Sequence, residues 1–441
     1  MPFDAIVIGA GMSGMYQVHM LRKAGLSCLL LEAGSDVGGT WYWNRYPGCR
    51  FDSETVSYCF SFDEEVLQAW NWTEKFAPQP ETLRYLNYVA DKLDLRRDMR
   101  FNARVTAAHY DVAGNTWKVT TEDGRTETSR FLITAVGILS APVIPPIPGR
   151  EAFAGRSFHT SDWPRNGLDL SGKRVAVFGT GATGVQLIQE AGKVAAQLTV
   201  FQKEASWAKP LKNEKISPQE MEALKAQYAS VFARCKSTAA GFIHDWDPRS
   251  LFDVSDAERE RIFEERYDQP GFAMWLGNFQ DLATSVEAAD IVSDFIARKI
   301  RQRVKDPAVA ERLIPKDHPF GARRVPMETG YYETYNQPNV RLIDVNETPV
   351  ERITPRGVQV GGEELEFDVI VFATGFDAVR GAFDRIDIRG VDGLSLKEKW
   401  VDGPITYMGL QVHGFPNMFM LVGPHNGATF CNVPRCIEQN V

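Results

Sequence analysis

The chain has 441 residues, enough for two or three domains. Hydrophobic residues make up 44% and charged residues 24%, the composition of a globular protein and not of a disordered, fibrous or membrane one. The net charge of −8 comes with no concentrated basic stripe, which argues against nucleic acid as a partner. Cysteines at 28, 49, 59, 235, 431 and 436 show neither C-x-x-C nor zinc spacing. They predict reduced thiols and no metal site in a cytoplasmic protein. The sequence opens almost directly on a predicted strand, without a charged leader, and no apolar run reaches the length of a membrane span.

The first predicted unit is strand, tight turn and helix. Apolar residues Ile6 to Ile8 lead into Gly9-Ala10-Gly11-Met12-Ser13-Gly14 and a helix from about Ser13 to Ala24, with Gly25 as its C-cap. In such a loop Gly9 makes the turn, Gly11 lets backbone approach a pyrophosphate, and Gly14 lets helix pack on strand. A second strand, Ser27 to Leu31, delivers Glu32 where an acid accepts hydrogen bonds from ribose hydroxyls. The loop from Gly38 to Gly48 then combines glycine with aromatics, including Gly39, Thr40 and Trp41. It suits a flat ring system, and by composition serves equally as a turn beside an aromatic core cluster. Alternating strands between Arg104 and Ala135 predict a β-meander, and the proline-rich stretch from Ala141 to Gly149 predicts an extended linker.

A second glycine loop, Gly179-Thr180-Gly181-Ala182-Thr183-Gly184, follows the apolar run Arg174 to Phe178. Between the two loops lies Phe153-x-Gly155-x-x-x-His159-x-x-x-Trp163-Pro164. Read alone, that stretch is also compatible with a turn glycine and two core residues in an ordinary linker. Its spacing and flanks resemble the fingerprint of the Baeyer–Villiger monooxygenases, flavoproteins that insert one oxygen atom from O2 beside a ketone carbonyl. The resemblance implies an α/β protein with two Rossmann-like domains, the first holding FAD through Gly9, Gly11, Gly14, Glu32, Gly39, Thr40 and Trp41. The second would hold NADPH through Gly179, Thr180, Gly181, Thr183 and Gly184. His159 is read as keeping the domains in register, not as a catalytic base.

The strand Leu198 to Phe201 is followed by Gln202-Lys203, where the first unit carries Glu32. A cation there suits a 2′-phosphate and favours NADPH over NADH, although Glu204 partly offsets it and a solvated surface lysine is the plain alternative. Polar helices with capping boxes at Ser217–Glu220 and Ser255–Glu258 are predicted from about Pro210 to Arg303, ending in a basic run, Arg298 to Arg303, read as a solvated helix face. Strands at 340–344 and near 367–375 complete the second fold, and the chain then returns to the first.

The stretch Pro319 to Glu333 resembles the family's catalytic-arginine segment and implies that Arg324 stabilises a deprotonated C4a-peroxyflavin, with Arg323 a second cation for NADPH. Asp52, in Tyr46 to Asp52, matches the aspartate that pairs with this arginine and also touches the flavin site. By residue type alone, Arg324 is also compatible with a surface ion pair and Asp52 with a capping or turn aspartate before Ser53-Glu54. The domains expected are 1–140 and 376–441 for FAD, 141–151 as linker, 152–209 and 333–375 for NADPH, and 210–332 as a helical insertion. Family members usually run on past the point where this sequence stops, so a shortened C-terminal part is expected. The activity implied is FAD- and NADPH-dependent oxidation of a ketone by O2 to an ester or lactone. The rivals are an N- or S-monooxygenase and a nucleotide-binding flavoprotein without turnover. A disulfide reductase is disfavoured because no C-x-x-C is present.

Overall fold

The computed structural model describes residues 2–426 and 430–441. The first sheet begins with β1 (Phe3–Ile8), β2 (Cys28–Leu31), β3 (Met99–Arg100), β4 (Val105–Asp111), β5 (Thr116–Thr121) and β6 (Thr126–Thr134). β1 pairs in parallel with both β2 and β6. That central position explains its apolar sequence: Ala5, Ile6 and Val7 are fully buried, because helices and meander cover both faces. The meander runs antiparallel through β4, β5 and β6. Because β6 also pairs with β1, it extends the main sheet and does not form a separate insert.

The second sheet contains β7 (Arg156–His159), β8 (Arg174–Phe178) and β9 (Gln197–Gln202). Beyond them come the two-residue strands β10 (Lys209–Pro210) and β11 (Met327–Glu328), then β12 (Val340–Asp344). A small antiparallel meander, not anticipated from the sequence, follows as β13 (Val350–Ile353), β14 (Gly357–Val360) and β15 (Glu363–Glu366). β16 (Val369–Phe372) completes the parallel sheet, whose order is β12-β9-β8-β16-β7. The fingerprint stretch is thus no simple connector. Its first half, β7, is the edge strand of the second fold, paired with β16 so that His159 lies opposite Phe372. Gly155 is required just before it, since a Cβ there would lie 2.6 Å from the carbonyl oxygen of Asp368. β17 (Asp387–Arg389) and β18 (Met418–Met420) return to the first sheet, on β4 and β6.

Between β10 and β11 the chain makes a helical excursion, with the helices Pro218–Ser237, Asp256–Asp268 and Val286–Arg303 as its main pieces. β10 and β11 pair in parallel, so the excursion leaves and returns at adjacent points. The capping box at Ser217–Glu220 is complete. At Ser255 only half forms, because the Glu258 carboxylate goes to Arg249. The basic run at 298–303 faces partners across the helices, not solvent alone: Arg298 pairs with Glu260, Lys299 with Glu264, and Arg303 with Glu328 and Glu333.

The proline-rich stretch is extended, with Val143 N–H bonded to Gly375 O, and Ile144 and Ile147 packed on the outer face of the second sheet. A single apolar cluster runs from Ala5 and Val7 of the first sheet to Val175 and Val177 of the second, so the two folds share a core. Cys28, Cys49, Cys59 and Cys235 are free and buried, and Cys431 and Cys436 bring their side chains together across a Cα separation of 7.0 Å. The first lies just before the helix Val433–Asn440 and the second within it, which brings the two sulfurs to one side of its first turn. Among the described residues no helix is long and apolar enough to cross a membrane.

Candidate active site

The two glycine loops repeat one backbone solution. Gly9 has φ +105° and Gly179 φ +104°, and an added Cβ would lie 2.5 Å from the carbonyl oxygen of Ala135 or Ala373. Each is a turn that only glycine makes without strain. Gly14 and Gly184 sit against the carbonyls of Gly9 and Gly179, so their bare Cα atoms let helix meet strand. Gly181 is different, because among the described residues a Cβ there meets nothing within 4 Å, and one on Gly11 meets only the Cα of Gly39 at 3.5 Å. Protein packing does not demand glycine at 11 or 181. A ligand brought close to backbone N–H groups at a helix start would demand it.

Glu32 closes the first loop from below. Its carboxylate accepts from Ala10 N–H at 2.7 Å and Gly34 N–H at 2.6 Å, and only 4% of the residue is exposed. Burial pushes its pKa up, while those N–H groups pull it down. Gly39 touches Gly11, so the aromatic loop is pressed against the phosphate-type turn. Thr40 and Trp41 begin the short helix Thr40–Trp43; the Trp41 indole bonds to Tyr58 and stands edge-on to Phe51. The loop is therefore both an aromatic core cluster and a lining for the first fold.

Tyr46 to Asp52 carries the chain to the second fold. The Tyr46 hydroxyl donates to Gln186 Oε1 at 2.8 Å, Gln186 Nε2 donates to Arg50 O, and Gly48 at φ +83° passes where a Cβ would strike Gln186 O. This docking onto the helix Ala182–Ala191 presents Asp52 to Arg324. The pair is bidentate, with Nη2 to Oδ1 at 2.5 Å and Nε to Oδ2 at 3.1 Å. Fork against carboxylate fixes orientation as well as charge. The guanidinium carbon also lies 4.9 Å from the Phe272 ring centre and 5.8 Å from that of Phe242, within cation–π range. Burial opposes the charge on Arg324, but the Asp52 carboxylate outweighs it and raises the pKa. Even so, 27% of the Arg324 side chain and 18% of that of Asp52 stay accessible.

Arg323 points the other way. It pairs with Glu204 at 2.6 Å and Asp317 at 3.0 Å, with 54% of its side chain exposed. Thr180 Oγ1 donates to Glu204 O, which draws the second glycine loop, the end of β9 and Arg323 into one surface beside exposed Lys203. Glu204 thus offsets Arg323 more directly than it does Lys203. Thr183 lies in the first turn of the helix that follows.

His159 is 2% exposed, and its Nδ1 accepts from Ser161 N–H while meeting Ser161 Oγ at 2.8 Å. Its Nε2 makes no hydrogen bond among the described residues, and burial lowers its pKa. Its ring stands edge-on to Phe376, where the chain leaves β16. Trp163 is buried edge-on to Phe158, and Phe153 packs on the second sheet. The fingerprint braces the second sheet.

Sequence reasoning missed Phe242 and Phe272. Both come from the helical excursion, and nothing local marks them among the chain's 26 phenylalanines. Tyr46 and Gln186 join the folds but gave no signal either, since a hydrogen bond across 140 residues has no periodicity.

Two nucleotide-type loops and an inward-facing arginine–aspartate pair at their junction define a flavin- and nicotinamide-dependent oxidoreductase. Residues 4–239 match the family described as flavin-binding monooxygenase-like, and the chain belongs to that family. Over 439 residues it is 52% identical to the 2-oxo-Δ3-4,5,5-trimethylcyclopentenylacetyl-CoA monooxygenase of Pseudomonas putida, covering 98% of this chain and 81% of that protein. A Baeyer–Villiger monooxygenase of Pseudooceanicola batsensis is 44% identical over 442 residues, covering 100% of this chain and 80% of its own. The crystal structure of OTEMO complexed with FAD and NADP superposes with a TM-score of 0.97 at 52% identity, covering 99% of this chain and 83% of that one. Within the family the chain is a member of the Baeyer–Villiger branch, and it spans about four fifths of the length of the relatives it matches.

Proposed function

We propose that the protein oxidises a ketone to an ester or lactone with O2, using FAD and NADPH. The observation that carries this reading is the Asp52–Arg324 pair, a fixed and partly accessible cation where the two folds meet. The fit of the cofactors rests on Gly11 and Gly181, which are glycine without a packing reason, and on Glu32 at the first loop. Gly9, Gly11, Gly14, Glu32, Gly39, Thr40, Trp41 and Asp52 would hold FAD. Gly179, Thr180, Gly181, Thr183 and Gly184 would hold NADPH, with Lys203 and Arg323 for its 2′-phosphate. When bound and reduced by NADPH, the flavin supplies the activated oxygen.

The chain's own contribution is electrostatic. Attack on a carbonyl places negative charge on oxygen, and an arginine cannot quench that charge by giving up a proton at working pH. Arg324 instead donates N–H bonds from a position that Asp52, Phe242 and Phe272 fix in advance, so little reorganisation is needed as the charge develops. Asp52 keeps the fork oriented and balances its charge. Such a site favours oxygen insertion at a ketone over transfer to nitrogen or sulfur, which needs a protonated oxygen donor.

The test is a panel of ketones, with a thioether alongside, given to purified FAD-loaded protein and NADPH and analysed for products. NADPH-dependent ester or lactone is the expected result. Sulfoxide with no ester from any ketone would defeat the reading, and absence of ketone-dependent O2 uptake would mark a binding protein without turnover.

A further inference from the structure

Glu54 lies two residues beyond Asp52, and its carboxylate is buried. Its Oε1 meets His244 Nε2 at 2.7 Å, with 12% and 15% of the two side chains exposed. Oε2 makes no hydrogen bond among the described residues. A buried carboxylate is costly unless paired, so this contact with His244 is not a casual surface pair. The same carboxylate is pressed against Gly271, where a Cβ would lie 2.5 Å from Oε1 and φ is +59°.

These two neighbours carry the rings that flank the guanidinium. Phe242 precedes His244 by two residues, and Phe272 follows Gly271. The rings stand edge to face at 5.2 Å, and both lie within 6 Å of the Arg324 guanidinium carbon. The segment around Phe242 belongs to no helix or strand. It is tied down by side chains and loop contacts: Thr238 to Phe242 O, Asn432 N–H to Ala240 O, Arg234 to Asp245, and Glu54 to His244.

We propose that Glu54 and His244 are positioning residues for Arg324. The stretch 52–54 grips the guanidinium twice, once at its edge through Asp52 and once through the aromatic faces that Glu54 anchors by way of His244 and Gly271. The inference rests on the ketone-oxidation reading for its consequence in turnover, but not for its geometry. Losing the His244 contact lets the Phe242 segment relax and the guanidinium shift. Shifts on the order of an ångström cost about a hundredfold in well-aligned reactions.

The experiment compares wild type, His244→Ala, His244→Gln and Glu54→Gln in two ways. One is the protection of the Arg324 Nε–H from solvent exchange, read by NMR on 15N-arginine-labelled, FAD-loaded protein and assigned through its loss in Arg324→Lys. The other is ester formed per NADPH consumed. His244→Ala should lose the protection and drop the product ratio about tenfold or more. His244→Gln, whose amide still donates to Glu54, should restore both. A lower melting temperature with unchanged Arg324 protection and product ratio overturns the proposal, because that is what a purely structural pair would give. Should His244→Ala fail to fold, Glu54→Gln decides: it keeps the volume and weakens the bond, and wild-type protection there overturns the proposal. If wild type makes no ester at all, the reading of the reaction has failed, and the exchange measurement still judges the positioning.

Discussion

Arg324 closes on Asp52 across 272 residues of chain, with two hydrogen bonds of 2.5 and 3.1 Å joining the helical excursion's exit to the loop that docks the two folds. Neither residue alone defines a site. Together they make a cation whose orientation is set from both sides of the domain junction.

Replacing Arg324 by lysine keeps a charge but loses the planar fork. Ester formation should fall on the order of a hundred- to thousandfold, the usual cost of removing a preorganised donor. NADPH oxidation and FAD content should persist. Assays that follow product and NADPH separately check this, and an ester yield close to wild type would remove Arg324 from the chemistry.

Lys203→Ala and Arg323→Ala should each weaken NADPH binding and leave NADH nearly unaffected. A hydrogen bond to a charged group contributes about 1.5–3 kcal/mol, so the loss should be about ten- to a hundredfold in affinity. Arg323 should show the smaller effect, because Glu204 and Asp317 already engage it. Titration of both nucleotides against each variant measures the ratio; equal losses for NADPH and NADH would show that neither side chain reads the 2′-phosphate.

Alanine scanning of the second glycine loop should separate folding from binding. Gly179→Ala forces a Cβ toward Ala373 O at φ +104° and should lower the melting temperature. Gly181→Ala meets open space, so thermal stability should hold while NADPH affinity falls. Thermal melts beside nucleotide titrations decide it. Unchanged nucleotide binding in Gly181→Ala would move the nicotinamide site elsewhere.

Lys209 gives a pH signature. It is fully buried on β10, its ammonium donates to Gln269 O, and burial pulls its pKa from the ordinary 10.5 down to about 7. Between those values the unfolded chain holds a proton that the folded one has released, so this group makes stability rise with pH from about 7 toward 10.5. Below that window the buried charge opposes folding in full. Lys209→Met should flatten the rise, which denaturant unfolding at pH 7, 8.5 and 10 would show. An identical pH slope in the variant would refute the depressed value.

The parts of this protein legible from sequence are those whose cause is local. The glycine loops follow from the conformations that Gly9 and Gly179 must adopt, and buried strands such as β1, β8 and β16 follow from apolar runs. β7 escaped notice because Arg-Ser-Phe-His carries no strand pattern; its place comes from pairing with β16, 213 residues away in register at Arg156 and Val369. The basic run at 298–303 reads as solvated because a one-dimensional sequence does not show Glu260 and Glu264 on the facing helix. Asp52 and Arg324 were found only by resemblance to a family, since no spacing rule links residues so far apart. Glu54, His244, Phe242 and Phe272 belong to the same class: side chains that matter through neighbours supplied by distant chain.

The parallel pairing of Lys209–Pro210 with Met327–Glu328 closes the helical excursion at its base, with Arg324 three residues from that closure. The charge is thus carried next to backbone pinned by strand pairing, and not out on the helices themselves.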